Sequence, residues 1–394
     1  MKRACFYVIA THLGGAEKSL LELVKGLKED PLADWTPRVI LPKKEGPLVD
    51  ELVRTQIDFR VVEIPESFLK ITRARPLYSL LKFIQSIPAL IGYLKKVNDE
   101  LLIYRPLVIH TTGLKCHILG LVFSRWRRIP IVWHLRDIFN PGPTLTLLRF
   151  LIRCQLIELV CNSKATAAPF ASASSKINVV YNGLNPSEYY PNPNSKYRDH
   201  FRVGLETTII GIVGAFASWK GQLQFLEAAA LLVKAGIQAR FVIVGGEIYD
   251  TGGETGLMLK YKQKSEDLGI GELVLFTGFE HDAARVMNSI QILVHASIRP
   301  EAFGRVIIEA MACGTAVVAS KRGAAPEFFD HGEVGLLVDP NHPQEIAKAV
   351  QWLVENPSDR ERMVARAKTV FLSRFTHERY VAELKNVFNF AAKS

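Results

Sequence analysis

At 394 residues, with 48% hydrophobic and 22% charged side chains, the chain is globular in composition and longer than one ordinary domain. Two domains of similar size are therefore expected, and a fibrous or disordered protein is excluded. The net charge of +10 belongs to the first half: Lys and Arg outnumber Asp and Glu 26 to 15 over residues 1–185 and stand at 23 to 24 over 186–394.

That asymmetry points the first half toward an anionic partner: nucleic acid, anionic lipid or a phosphorylated substrate. The N-terminal apolar run is too short for a signal peptide and reads as a strand at 5–10. Further strands are predicted at 36–42, 59–64, 107–112, 129–135, 159–163 and 177–183, with helices between them, notably 16–29, 77–97 and 143–156. The most apolar stretch, 77–94, is interrupted by Lys82 and Pro88 and does not read as a membrane span. Segment 70–96 carries Lys70, Arg73, Arg75, Lys82, Lys95 and Lys96 and no acidic residue. The expectation for it is an anionic membrane surface, against the plainer reading of a helix with solvated ends.

A polar, Pro- and Asn-rich stretch at 184–207 reads as a linker. Strands follow at 209–215, 240–246, 273–278, 292–297, 315–320 and 335–339, again alternating with helices. Continuous Val/Ile/Leu strands separated by helices mean parallel sheets covered on both faces. The fold class is therefore α/β, with two doubly wound domains at 1–185 and 186–375. A terminal helix over 376–394 is expected to pack back on the N-terminal domain. The five cysteines lie in apolar runs without C-x-x-C spacing, which argues against zinc or disulfides and for a reducing, cytoplasmic setting.

Candidate site residues cluster where strands end. Gly14-Gly15 follows the first strand, where backbone N–H groups can approach a phosphate. "IVWHLRD" places His134 at the carboxyl end of a strand, able to donate a hydrogen bond or to titrate near neutrality. Lys220 stands before Gly221 and a long helix, placed to reach a diphosphate; a solvated lysine is the plain alternative. Gly245 opens another strand-end glycine pair. "RPEAFGRVIIEAMACGTAVVAS" (299–320) spaces Glu301 and Glu309 about 2.2 helical turns apart, so that, if both were helical, they would share a face. The apolar run after Gly304 is a buried helix whose bare entrance suits an anion, while carboxylates beside it suit sugar hydroxyls.

"PEAFGRVIIEAMACG" resembles the E-x7-E unit of the retaining glycosyltransferases of family 4, and the order of "GGAE", "WHLRD", "YNGLN", "SWKGQ", "VGGE", "LFTGF", "GAAPE" and "GLLVDP" carries the likeness along the whole chain. The resemblance implies the GT-B architecture of two Rossmann-like domains facing a cleft, and a nucleotide-sugar donor. It implies that Glu301 binds the donor sugar near its C3 and C4 hydroxyls and Glu309 the ribose hydroxyls. The backbone of Ala302, Phe303 and Gly304 would face sugar and phosphates, Lys220 the leaving diphosphate, Gly15 the phosphates from the other domain, Phe279 the base, and His134 the transferred sugar. The family's early arginine is replaced by Ala215; either another cation such as Arg305 substitutes, or the donor binds more weakly.

The expectation is thus a retaining glycosyltransferase acting on a glycan or lipid-linked acceptor in polysaccharide or glycolipid synthesis, peripheral on the inner membrane face. No cofactor is expected, and no metal, because Asp-x-Asp is absent from the sequence. A phosphorylase would need an added phosphate site or cofactor lysine, and an epimerase would lack the E-x7-E unit. Nucleic-acid binding would need aromatic residues interleaved in the basic half. A catalytically weak sugar-nucleotide-binding partner subunit is the alternative, with Ala215 its best support.

Overall fold

Apolar runs with no polar interruption cannot leave either face to water, and in a computed structural model of the protein they form parallel strands with helices on both sides. The structure describes all residues except 11–12, 31–33, 70–75, 155–156, 175–176, 193–200, 202–203, 205–206, 248–255, 330 and 394, and describes 76–86 by backbone alone. The chain divides into unit 1, Met1–Gly183 with His377–Ser394, and unit 2, Leu184–Thr376.

Unit 1 runs β1 (Lys2–Tyr7), α1 (Gly15–Glu29), β2 (Trp35–Leu41), α2 (Pro47–Arg54), β3 (Phe59–Val61), α3 (Glu66–Leu69), α4 (Pro76–Tyr104), β4 (Val108–Thr112), α5 (Leu114–Arg127), β5 (Ile131–Leu135), α6 (Pro143–Cys154), β6 (Ile157–Cys161), α7 (Lys164–Ala167) and β7 (Asn178–Val179). The strand order is β3-β2-β1-β4-β5-β6-β7, all parallel. Strand direction out from β1 reverses between β1 and β4, which opens a crevice at their carboxyl ends. Alternate residues of β1 face opposite cores: Cys5 and Tyr7 join α4, α5 and α6, and Ala4 and Phe6 join α1 and α2.

Unit 2 runs β8 (Thr208–Val213), α8 (Gln222–Lys234), β9 (Ala239–Val244), α9 (Leu257–Asp267), β10 (Val274–Gly278), α10 (Ala283–Met287), β11 (Ile292–His295), α11 (Arg305–Cys313), β12 (Ala316–Ser320), β13 (Leu336–Val338), α12 (Pro343–Glu355) and α13 (Pro357–Arg374). Its order, β10-β9-β8-β11-β12-β13, reverses between β8 and β11. Leu184 is fully buried, donates its N–H to the Phe375 carbonyl at 2.9 Å and bridges Thr376, so the two ends of unit 2 are tied together.

The last helix, α14 (His377–Ala391), belongs to unit 1. It buries Tyr380, Val381, Leu384, Val387, Phe388 and Ala391, a helical stripe that completes the core over α1 and β1. His377 Nδ1 lies 3.1 Å from Glu22 on α1, and Trp35 donates to Asn389 at 3.2 Å. Among the described residues no helix is long and apolar enough to cross a membrane. The anionic-surface expectation falls mostly on Lys70, Arg73 and Arg75, which lie outside the described residues, and on Lys82, described by backbone alone. Lys95 and Lys96 are exposed on α4, next to Ile91 at 50% exposure.

Candidate active site

In unit 2 the loops after β8, β11 and β12 meet around one carboxylate. After β8 the chain makes a short turn at Ser218–Lys220 and enters α8 through Gly221, whose φ of 85° is left-handed. A side chain at Gly221 would overlap the Ala296 carbonyl just beyond β11, so glycine lets the two loops touch. Lys220 is thereby carried to the end of β11, where His295, Ser297 and Glu301 follow in sequence.

Glu301 Oε1 accepts from Lys220 Nζ at 2.8 Å, from His295 Nε2 at 3.1 Å and from the Ser297 hydroxyl. The main chain of Glu301 is held as well: its carbonyl accepts from Ala324 N at 3.0 Å, and Gly323 packs so closely that a Cβ there would overlap that carbonyl. Burial pushes the Glu301 carboxyl up, but the charges of Lys220 and His295 and their hydrogen bonds more than reverse this. The group is held ionised below the ordinary carboxylate range. All three side-chain donors converge on Oε1. Oε2 is thus the oxygen through which Glu301 can accept from a ligand hydroxyl.

The helix of the E-x7-E unit begins later than a shared face for both glutamates requires. Gly304 at φ 80° is the N-cap of α11, so Glu301 lies in the preceding loop and only Glu309 is helical. The reason is the left-handed residue: it breaks the helical path, turning Glu301 toward β11. Glu309, buried, accepts from Arg305 Nε at 2.8 Å, one turn earlier. Arg305, the candidate replacement for the missing arginine, is therefore engaged through Nε by a carboxylate. The N-caps of α8 and α11 are glycines, which have no side chain to cap the first turn, and these helix starts follow Lys220 and Glu301 closely in sequence. Ala302 is half-buried, and the Phe303 ring packs 4.7 Å from Phe328, leaving only the Phe303 backbone for a ligand. Gly245 accommodates the Gly214 carbonyl where a Cβ would collide, and its N–H donates to the Gly278 carbonyl at 2.8 Å. Phe279 follows β10 at 42% exposure, edge-on to His281.

In unit 1, Gly14 caps α1, and its N–H donates to the Glu17 carboxylate at 3.0 Å; Gly15 has open space where a Cβ would stand. His134 is fully buried. Its Nδ1 is 3.1 Å from His110 Nε2 and 3.4 Å from Arg136 Nη2, and its Nε2 has no hydrogen-bond partner among the described residues. Burial, then the charge of Arg136, holds its pKa well below the ordinary value. Desolvation and the Arg136 charge thus both favour the neutral imidazole, against the expectation of a group titrating near neutrality.

His295 and Ser297 were not among the residues singled out from sequence. Their signal is "HAS" at the end of β11, two residues alternating around Ala296 at the switch point.

Residues 194–370 match the family described as "Glycosyl transferases group 1", and residues 13–188 match "Glycosyltransferase Family 4". A glycosyltransferase of Methanocaldococcus jannaschii, MJ1607, is 29% identical over 246 residues, spanning 60% of each chain. A D-inositol 3-phosphate glycosyltransferase of Corynebacterium kroppenstedtii is 30% identical over 224 residues, 55% of this chain and 49% of that one. The chain thus spans about half to three-fifths of the length of these curated relatives. The crystal structure of Anabaena Alr3699/HepE in complex with UDP and glucose superposes with a TM-score of 0.83 at 25% identity, covering 99% of this chain and 100% of that one. The two halves of the chain thus match two glycosyltransferase family descriptions in order, and its two parallel-sheet Rossmann-like α/β domains have the GT-B fold of glycosyltransferase structures.

Proposed function

We propose that the protein transfers a sugar from a nucleotide-sugar donor, with retention of anomeric configuration, to a glycan or lipid-linked acceptor in polysaccharide or glycolipid synthesis. The observation that carries this reading is the Lys220–Glu301–His295–Ser297 cluster at the β8/β11 switch point. A cation there meets the bare N-termini of α8 and α11, which suits a diphosphate, while Glu301 Oε2 suits sugar hydroxyls. The likeness to a structure holding UDP and glucose supports a donor of that class.

In the proposed reaction the bond from the anomeric carbon to the diphosphate oxygen breaks, and the acceptor oxygen bonds that carbon from the same face. The acceptor proton passes to the leaving phosphate. Lys220 and the helix N–H groups stabilise the charge that develops on the diphosphate, the term that dominates such transfers. Glu309 takes ribose hydroxyls, Phe279 the base, and the backbone at Ala302 and Gly304 the sugar and phosphates. His134 donates to a substrate oxygen. No cofactor takes part; cationic side chains carry the role a metal would have at the diphosphate. The basic excess of residues 1–185 favours an acceptor bearing anionic groups.

A thermal-shift screen of nucleoside diphosphates and nucleotide sugars tests the reading, since a ligand of the folded state raises apparent stability. A rise with one diphosphate series is expected; no response to any of them removes it. Binding of donor without turnover would favour the partner-subunit alternative that Ala215 suggests.

A further inference from the structure

The polar groups beneath His134 form a chain that reaches the last helix. Arg136 Nη1 donates to Asn182 Oδ1 at 2.7 Å, and its Nη2 donates to the Tyr380 hydroxyl at 2.7 Å. Tyr380, on α14, donates in turn to the Ser19 carbonyl on α1 at 3.2 Å. The guanidinium is thus fixed from β7's far loop and from α14, with one nitrogen 3.4 Å from His134 Nδ1. The second neighbour of Nδ1 is His110 Nε2, held in place by the rings of Phe6 at 5.0 Å and Phe388 at 5.9 Å.

A guanidinium has only donors and is always charged. Facing it, an imidazole nitrogen is stable as an acceptor and repelled as an N–H. With His110 protonated on Nε2 and donating to it as well, His134 Nδ1 carries no proton, and in a neutral ring the proton sits on Nε2. That nitrogen is buried and meets no acceptor among the described residues, so its hydrogen bond is open to a ligand oxygen or a water. Among the described residues the charged and titratable groups around the ring are Arg136, His110, His117 and Tyr380. None of these is a carboxylate that would favour an imidazolium.

We propose that Arg136, held by Asn182 and by Tyr380 of the C-terminal helix, is a positioning residue that locks His134 in the Nε2–H tautomer and so presents a donor to a substrate oxygen. The proposal rests on the reading of His134 as a substrate-contacting group. The terminal helix α14, packed on unit 1 through its apolar stripe, thus also supplies the hydroxyl that fixes the arginine.

The test is nitrogen NMR of protein labelled in its histidines, with His134 identified by the signals lost in His134→Asn. In the wild type, Nδ1 is expected in the unprotonated acceptor range and Nε2 in the protonated range, with no titration between about pH 5 and 8. Arg136→Met should let the proton populate Nδ1 or let the ring titrate, and Arg136→Lys, which keeps a cationic donor, should restore the wild-type pattern. Should Arg136→Met fail to fold, Tyr380→Phe, which removes one hydroxyl, is expected to give a mixture of tautomers. A wild-type ring protonated on Nδ1, or a wild-type pattern in both Arg136→Met and Tyr380→Phe, would overturn the proposal. Failure of the underlying reading shows differently: the tautomer is as stated, but added UDP-glucose leaves the Nε2–H signal unmoved.

Discussion

Lys220 Nζ lies 2.8 Å from Glu301 Oε1, although 81 residues separate the two in sequence. The pair is only partly exposed, at 22% and 11% for the two side chains. Its electrostatics are therefore less screened than those of a surface bridge, and Lys220 helps hold Glu301 ionised. A diphosphate arriving at Lys220 would share the cation with Glu301, coupling the phosphate end of a donor to its sugar end.

Glu301→Gln should keep nucleotide binding and lose most turnover. The amide preserves shape but replaces a charged acceptor with a neutral one, a loss of about 2 kcal/mol, or roughly thirtyfold in rate. Steady-state turnover beside nucleotide thermal shifts checks this; unchanged turnover would remove Glu301 from the sugar site.

Lys220→Ala should weaken a nucleoside diphosphate far more than the parent nucleoside, because the lysine's partner is phosphate. Calorimetric titration with both ligands measures the difference. Equal weakening would assign Lys220 to holding Glu301 and the loop rather than to the donor.

Gly221→Ala should be strongly destabilising, combining a left-handed backbone with overlap on the Ala296 carbonyl. Gly236→Ala is the control: it has a similar φ, 82° against 85°, but open space for a Cβ. The control should cost about 1–2 kcal/mol from backbone strain alone, and Gly221→Ala clearly more, read from urea unfolding midpoints. Equal costs would show that the close approach of the two loops is not needed.

His377 gives a pH dependence to the attachment of α14. Burial lowers its pKa, but the hydrogen bond to Glu22 and the charges of Glu22, Glu378 and Glu29 outweigh this, so the folded value lies above the usual 6.5. A raised folded pKa means that the stabilisation is fully present below pH 6.5 and is lost as pH rises through the folded value. The difference in melting temperature between wild type and His377→Gln should therefore shrink toward alkaline pH. A constant difference would show that the ring acts by packing alone.

Lys95 and Lys96, exposed on α4 beside Ile91, test the anionic-surface proposal where the chain is described. Wild type should co-sediment with anionic vesicles more than with neutral ones, and less as salt shortens the Debye length from about 10 Å at 0.1 M to about 3 Å at 1 M. Changing both lysines to Ser should lower the anionic binding, at about 1 kcal/mol for each charge lost. Indifference to vesicle charge would leave a soluble acceptor as the better proposal.

The strands were legible because a parallel strand covered on both faces is a continuous apolar run, and short β-branched runs such as "IIGIV" and "FVIV", each followed by glycine, fit a buried strand better than a helix. Strand-end glycines and Lys220 were legible for a related reason, since open α/β sheets place ligand loops at carboxyl ends. Strand order is a tertiary choice, and it decided the site. Only because β8 lies beside β11 does Lys220 reach Glu301, and only then do His295 and Ser297 become its partners. The seat of Glu301 outside the helix follows from the φ of Gly304, which spacing by itself does not reveal. His134 shows the limit most plainly: its place at a strand end is written in "IVWHL", but its charge depends on burial and then on Arg136, whose own anchor, Tyr380, is 244 residues further along the chain. Local sequence determines what a segment can become, through periodicity and backbone freedom. Which distant groups share one desolvated space is set by packing, and that space decides the chemistry.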